Sequence, residues 1–264
     1  MDKKAVVFDN SGTLVKRFRV IKNLETGEFC PKSNSLKIVD RFDGLALVVL
    51  QFNTTCLKKQ NPNIRLYDLI KFHNIRCDIS YHKSNITSED VINILKKDKI
   101  IVKDITDGFD ILARHVKNIE LCNGSAIILD NIKNKVAFTI SSAGHFFPNT
   151  KETIETLKKR GIEVFIASGD RAGTINTLTE FLAIEKDNGY STATTKRKQE
   201  IVQELQSKGY KVMMVGDGIN DILAFEAADI SILTLEQIEE VDEKLLNTTD
   251  FTIHDIKEVL DIDF

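Results

Sequence analysis

Three separate segments of the sequence place a polar or acidic residue directly after an apolar run. Asp9 follows VVF, Ser168 follows IEVFIA, and Asp217 follows KVMMVG. Asp221 stands four positions after Asp217, so a strand exit and helix start would present both carboxylates to one point. A carboxylate held in this way can attack an electrophile or bind a divalent cation such as Mg²⁺, which prefers oxygen ligands.

The elements that must position these residues follow a regular pattern in the C-terminal half. Short apolar strands alternate there with amphipathic helices of about ten residues, which is typical of a doubly wound parallel sheet. The predicted helices are Thr150–Arg160, Ala172–Leu182, Lys198–Ser207 and Asp221–Ala228, and the predicted strands are Val6–Phe8, Ile162–Ala167, Lys211–Val215, Ile230–Leu233 and Thr249–Ile253. Ligands bind beyond the C-terminal strand ends of such sheets, so Asp9, Ser168 and Asp217 are predicted to converge.

Residues 15–124 lack this rhythm and are predicted to form an inserted α+β cap, with residues 1–14 and 125–264 as the core. Within and beside this segment the sequence predicts an antiparallel pair, three helices and a hairpin. They are Val15–Leu24 with Leu45–Phe52, then Tyr67–His73, Thr87–Lys97 and Asp104–Lys117, and finally Ala126–Asp130 with Lys135–Ile140.

Each candidate residue also has a simpler interpretation when it is taken alone. An acid or a serine at a strand exit, such as Asp9 or Ser168, often caps a helix. Lys198 on an amphipathic helix would ordinarily be a solvated charge. The GDGIND run could be a glycine-rich turn, but a dinucleotide fingerprint would require glycine where Asp221 stands.

Together the segments resemble the haloacid dehalogenase superfamily of aspartyl phosphotransferases, and within it the phosphorylation domain of P-type ATPases. The motifs that carry this resemblance are DNSGTL, ASGD, Lys198 and GDGIND, in that order, with KQEIVQELQSKGYKVMMVGDGINDILAF as the strongest segment. The likeness covers residues 4–14 and about 135–233. It is greatest for small soluble archaeal proteins related to these ATPases, and it implies an α/β, Rossmann-like core with an inserted cap.

The resemblance implies specific roles for residues of this chain. Asp9 would be the nucleophile, and Ser168 and Lys198 would hold the phosphoryl oxygens. The implied cofactor is Mg²⁺, bound by Asp9, Asp217 and the Ser11 carbonyl, with Asp221 farther out or bound through water. The implied substrate-binding residues are Ser11, Gly12, Thr13, Ser168, Gly169, Lys198 and Asn220.

Position 11 departs from most phosphatases of the superfamily, which carry an acid two places after the nucleophile. P-type ATPases have threonine at that position, and Asn10 replaces their lysine. The Ser11 hydroxyl cannot act as an acid or base near neutral pH, and loss of such a group typically lowers the rate about 10²–10⁴-fold. We therefore expect slow turnover, or a cap residue that supplies the acid/base. The cap histidines His73, His82 and His115 are candidates, although a structural or solvated role is the simpler interpretation of each.

Composition and charge limit the classes of protein to which the chain can belong. The 264 residues carry a formal net charge of −3, which favours neither a nucleic-acid nor a membrane partner. No apolar run approaches the ~18 residues of a membrane span, and the N-terminus lacks the pattern of a secretion signal. The four cysteines show no CxxC spacing, so a cytoplasmic protein is expected. The oligomeric state stays open.

The leading prediction is a soluble Mg²⁺-dependent phosphohydrolase that acts through an aspartyl phosphate on a small phosphorylated molecule. A nucleotide such as ATP is included, although residues 15–124 contain no KGA-type adenine motif. The alternative is a slow-turnover switch or binding module, related to P-type ATPase regulation, in which the Asp9 phosphate is long-lived. A detached or regulatory piece of an ion pump is a third hypothesis.

Overall fold

The structure is a computed structural model that describes residues 3–30, 34–83, 85–114, 116, 122–237 and 242–264. The chain divides into two compact units. The first runs to Arg17 and resumes at His145, and the second extends from Phe18 to Gly144. Within the described ranges, no helix combines the length and apolar character needed to cross a membrane.

The described residues form twelve strands and ten α-helices. The strands are β1 (Lys3–Phe8), β2 (Val15–Asn23), β3 (Phe29–Cys30), β4 (Leu45–Leu50), β5 (Cys77–His82), β6 (Cys122–Asp130), β7 (Lys135–Phe146), β8 (Glu163–Ala167), β9 (Gly189–Tyr190), β10 (Tyr210–Gly216), β11 (Ile230–Thr234) and β12 (Phe251–Ile253). The helices are α1 (Ser35–Arg41), α2 (Thr54–Leu57), α3 (Leu66–Phe72), α4 (Ser88–Lys97), α5 (Val102–Leu112), α6 (Thr150–Lys159), α7 (Ala172–Phe181), α8 (Thr195–Ser207), α9 (Ile222–Ala227) and α10 (Glu243–Thr248).

The first unit contains a parallel sheet in the order β12-β11-β10-β1-β8-β9. All four residues from Ala5 to Phe8 in the central strand β1 are buried, so both faces of the sheet are covered. On one face Ala5 and Val7 pack with Ile201 of α8 and Phe225 of α9. The doubly wound α/β core is therefore confirmed, and β1 lies at its centre as such a core requires.

The second unit contains an antiparallel sheet in the order β3-β2-β7-β6-β4-β5. One face of β4, through Val48 and Leu50, packs with apolar residues of α3, α4 and α5. The opposite face, through Leu45 and Leu47, packs with Val39 of α1. This is the α+β composition expected of the inserted segment.

Two expectations about the inserted segment differ from the structure. The predicted pairing of Val15–Leu24 with Leu45–Phe52 is wrong, because β7 and β6 lie between β2 and β4. The predicted hairpin is present as β6 and β7, but it belongs to the second unit rather than to the core. The reason is that β6 also pairs with β4. The boundaries between the two units along the chain are therefore at residues 17/18 and 144/145, where 14/15 and 124/125 were predicted.

Candidate active site

Three adjacent parallel strands bring the polar residues of the sequence motifs to one edge of the sheet. Phe8 of β1 lies opposite Val215 of β10 and Ile166 of β8. The three strands therefore end at nearly the same level, and Asp9, Ser168 and Asp217 follow these ends. The backbone N–H of Asp9 continues the ladder by donating to the Val215 carbonyl at 2.8 Å.

Lys198 forms a buried ion pair with two of the acids. Its side chain is fully buried, and its Nζ lies 2.6 Å from Asp9 Oδ1 and 2.5 Å from Asp221 Oδ1. Thr194 caps the N-terminus of α8 by accepting from the Arg197 N–H, and Lys198 projects from the first turn that this cap fixes. The amphipathic pattern of α8 favoured a solvated lysine, and the structure shows the opposite.

The protonation states of Lys198 and Asp9 follow from their burial and from the charges around them. Burial lowers the pKa of Lys198, but the neighbouring charges of Asp221 and Asp9 outweigh it, so the net shift is upward and the ammonium persists. Burial raises the pKa of Asp9 and the Lys198 charge lowers it in part, so that the net pKa is about 6. Asp9 is therefore ionised at neutral pH, and a bound cation would strengthen that state.

The three acids also form a cluster that fits a divalent cation. One carboxylate oxygen from each of Asp9, Asp217 and Asp221 lies within 4.8 Å of the others, and Asp9 and Asp221 are buried. Mg²⁺ takes oxygen ligands and is usually held by one or two carboxylates together with waters and phosphate oxygens. The residues therefore fit the metal that the sequence implied, with Asp9 and Asp217 as the carboxylates that would hold it.

Asp221 is already engaged by the chain itself. Its Oδ1 accepts from Lys198, and its Oδ2 accepts from the N–H groups of Asp217 at 3.3 Å and Gly218 at 3.2 Å. These bonds hold the turn that presents Asp217. Asp221 is thus placed to orient the cluster, and its greater distance from the metal than that of Asp217 stays a prediction.

Gly12 allows the loop after Asp9 to approach the Asp217 carboxylate. Its φ is +94°, and a Cβ at this position would stand 1.9 Å from Asp217 Oδ2. The loop itself is a tight turn in which the Asn10 carbonyl accepts from the N–H groups of Leu14 and Val15. No side chain can occupy position 12 without displacing Asp217.

Gly12→Ala is expected to lower kcat about 10²-fold, because displacement of a catalytic group by about 1 Å has an effect of that size. Gly209→Ala is the matched control. Gly209 has φ +84° in the same unit but no heavy atom within 4 Å of its added Cβ, so it suffers the backbone strain alone. Steady-state kinetics and thermal unfolding of both variants check this. Equal losses of activity in the two would show that strain, and not contact with Asp217, is responsible.

A second hydrogen-bonded group surrounds Asp170, which follows Ser168 and Gly169. The Asp170 Oδ2 atom accepts from Asn10 Nδ2 at 2.6 Å, Arg17 Nη2 at 2.7 Å and Ser168 Oγ at 3.0 Å, and it lies 3.4 Å from Ser11 Oγ. Sequence reasoning missed Asp170 and Arg17 as site residues. Asp170 stood within the ASGD motif, but nothing in the sequence around Arg17 pointed to this contact.

The remaining predicted residues lie on the same loops. Thr13 is buried, and among the described residues its Oγ1 has no hydrogen-bond partner. Gly169 separates Ser168 from Asp170. Asn220 lies on the short turn Ile219–Asp221, where its Oδ1 would stand 2.7 Å from a Cβ added to Gly218. The structure thus brings the predicted residues together, and their catalytic roles stay predictions.

Two of the three cap histidines lie within the described residues. His73 packs against the rings of Phe52 and Phe72, and His82 is exposed at the end of β5. His115 lies outside the described residues.

Comparison with known proteins agrees with the geometry. The family model of the haloacid dehalogenase-like hydrolases matches residues 3–229. The chain belongs to this family. It is therefore a hydrolase. The matched region also includes every predicted site residue.

Individual relatives fall into two groups. A "Soluble P-type ATPase-like phosphatase" of Methanocaldococcus jannaschii is 38% identical over 98% of this chain and 93% of its own length. A probable copper-importing P-type ATPase of Enterococcus hirae is 30% identical over 53% of this chain, but that match spans only 20% of the transporter. Among solved structures, an aspartyl-phosphate analogue of phosphoserine phosphatase is 19% identical, covers 99% of both chains and has a TM-score of 0.47.

Proposed function

We propose that this haloacid dehalogenase-like hydrolase is a Mg²⁺-dependent phosphatase that works through an aspartyl phosphate on Asp9. The observation that carries the proposal is the buried Asp9 carboxylate, 2.6 Å from the Lys198 ammonium and beside two further acids. Such a carboxylate is ionised, desolvated and aimed beyond the strand ends, where ligands of parallel sheets bind. The phosphatase name of the archaeal relative supports the same reaction.

The proposed reaction has two displacements at phosphorus. An oxygen of Asp9 bonds to phosphorus while the bond from phosphorus to the substrate oxygen breaks, and the substrate departs with that electron pair. Water then attacks the same phosphorus, the bond from phosphorus to Asp9 breaks with its electron pair returning to the carboxylate, and inorganic phosphate is released. The proton that the water gives up balances the proton that the departed substrate oxygen takes from solvent. Lys198 binds phosphoryl oxygens, and the Ser168 hydroxyl, which donates to Asp170 Oδ2 in this structure, turns its proton to a phosphoryl oxygen when one is bound. Charge neutralisation and positioning of this kind supply most of the catalysis of phosphoryl transfer.

Magnesium, when bound at Asp9, Asp217 and the Ser11 carbonyl, supplies positive charge that offsets the charge of the phosphoryl group. The proposed substrate is a small phosphorylated molecule, with ATP as one candidate. The second unit, residues 18–144, is proposed as the cap that selects it. Release of phosphate from p-nitrophenyl phosphate and from ATP, each with Mg²⁺, tests the reaction class. Absence of Mg²⁺-dependent release from any phosphomonoester or nucleotide would contradict it.

Asp217→Asn is expected to raise the Mg²⁺ concentration for half-maximal activity about tenfold or more, since it removes a charged ligand. A second readout does not depend on turnover: Mg²⁺ should raise the Tm of the unsubstituted protein and raise that of the variant much less. Glu226→Gln, at an exposed position of α9, removes one negative charge elsewhere and serves as control. Equal Mg²⁺ responses in Asp217→Asn and Glu226→Gln would contradict the metal assignment.

A slow-turnover switch is the second candidate function, and Ser11 favours it. Position 11 supplies no acid or base, and Ser11 Oγ lies 3.4 Å from an Asp170 oxygen that other donors already occupy. A phosphorylated Asp9 in this setting would be hydrolysed slowly. A phosphoenzyme that forms rapidly and persists, with negligible steady-state release of phosphate, would favour the switch over the phosphatase.

A further inference from the structure

Arg17 is a buried cation that the proposed reaction has not used. Its side chain is 4% exposed, and its Nη2 lies 2.7 Å from Asp170 Oδ2. The backbone at the same residue is fixed from the other side by Gln237, which accepts from the Arg17 N–H at 2.8 Å and donates to the Arg17 carbonyl at 2.7 Å. The Arg17 backbone is therefore held in place, and its guanidinium is directed at Asp170.

The target of Arg17 holds two other elements of the site. The same Asp170 oxygen accepts from Asn10, the residue after the proposed nucleophile, and from the Ser168 hydroxyl at the end of β8. Asn10 is fully buried, so this bond fixes the start of the loop that carries Ser11. Displacement of Asp170 would release both Asn10 and Ser168.

The Arg17 charge also matters for the field at Asp9. Asp170 is an acid close to Asp9 along the hydrogen-bond network, since its Oδ2 accepts from the side chain of the next residue, Asn10, at 2.6 Å. An uncompensated Asp170 would therefore repel an incoming phosphoryl group as well. A guanidinium at 2.7 Å offsets that charge, and its planar geometry makes it better suited to the task than an amine.

We propose that Arg17 is a positioning residue for phosphoryl transfer: through its ion pair with Asp170 it fixes Asn10 and the Ser168 hydroxyl and offsets the Asp170 charge beside Asp9. The inference rests on the proposed function, since it assigns Arg17 a part in that reaction. It predicts that the contribution of Arg17 passes through Asp170 and is not made by direct contact with substrate.

A double-mutant cycle tests this, with Arg17→Gln, Asp170→Asn and the double variant assayed on p-nitrophenyl phosphate with Mg²⁺. Arg17→Gln is expected to lower kcat about 10²-fold while KM changes less than about threefold. The double variant should lose no more than the worse single variant, because coupled residues are not additive. Arg17→Lys should recover part of kcat, and Arg160→Gln, at an exposed arginine of the same unit that bonds the Leu260 carbonyl, should leave kcat unchanged.

Folding is controlled by expressing all rates per folded molecule, measured by circular dichroism at the assay temperature. A kcat of Arg17→Gln within about threefold of the unsubstituted protein would overturn the inference, as would losses that add fully in the double variant. Failure of the proposed function would be visible separately, as phosphate release that Asp9→Asn retains. Failure of the Arg17 inference leaves the Asp9→Asn result intact.

Discussion

Asp9→Asn is expected to abolish steady-state phosphate release, with kcat lowered about 10⁴-fold or more, as for loss of a covalent nucleophile. The amide cannot form an acyl phosphate, while its size and its position after β1 are preserved. The substitution also removes a buried negative charge, and Lys198 keeps Asp221 as a partner at 2.5 Å. The free energy of unfolding should therefore be unchanged or higher, and assays of kcat beside denaturant unfolding check both expectations.

Glu226→Gln is the control for Asp9→Asn, because it removes the charge of an exposed acid on α9. Its kcat should match that of the unsubstituted protein. Phosphate release by Asp9→Asn at more than about one-hundredth of the normal rate would be incompatible with Asp9 as nucleophile, given the effect expected of such a residue.

Lys198→Met is expected to have the largest effect on stability. It leaves the Asp9 and Asp221 carboxylates buried side by side without their cation, and breaking a buried pair in this way costs about 3–5 kcal/mol. Phosphoryl binding should fail as well, so kcat should fall with stability. Lys196→Met tests the same chemical change at an exposed position of the same helix and should alter the unfolding free energy by less than about 0.5 kcal/mol.

A double variant separates the two roles of Lys198. Lys198→Met with Asp221→Asn removes one of the stranded charges, so it should regain part of the lost unfolding free energy while kcat stays low. Measurements in EDTA isolate the charge effect from any metal contribution. A Lys198→Met protein as stable as Lys196→Met would contradict the ion pair described here.

The residues at the carboxyl edge of the parallel sheet could be predicted from sequence, because the pattern that places them there is local. Apolar runs of strand length, each followed by Asp9, Ser168 or Asp217, alternate with helices, and parallel strands necessarily end on the same side. The GDGIND run could be identified for a similar reason, since its glycines allow close backbone approach, whereas Gly12 was implied only by the motif of the family. The motifs of the family then supplied the order and the implied roles.

The contacts made between distant segments could not be predicted. The amphipathic pattern of α8 is compatible with a solvated Lys198, and only the docking of α8 beside β1 buries its ammonium against Asp9, 189 positions away. Arg17 meets Asp170 across 153 positions and has no local signal. The hairpin of β6 and β7 could be predicted, but the pairing of β6 with β4 joins distant segments of the chain. Hydrophobic periodicity does not specify which distant strands pair or in what register.

The most direct test of the central claim is a rapid-quench single turnover with Mg²⁺ and a phosphorylated substrate, followed by peptide mass analysis. We expect one acid-stable, base-labile phosphoryl group on the peptide that contains Asp9, formed faster than phosphate is released and absent from Asp9→Asn. Because Ser11 supplies no acid or base, we expect this aspartyl phosphate to accumulate. Complete turnover with no phosphorylated Asp9, or with the phosphoryl group on another residue, would contradict the central claim.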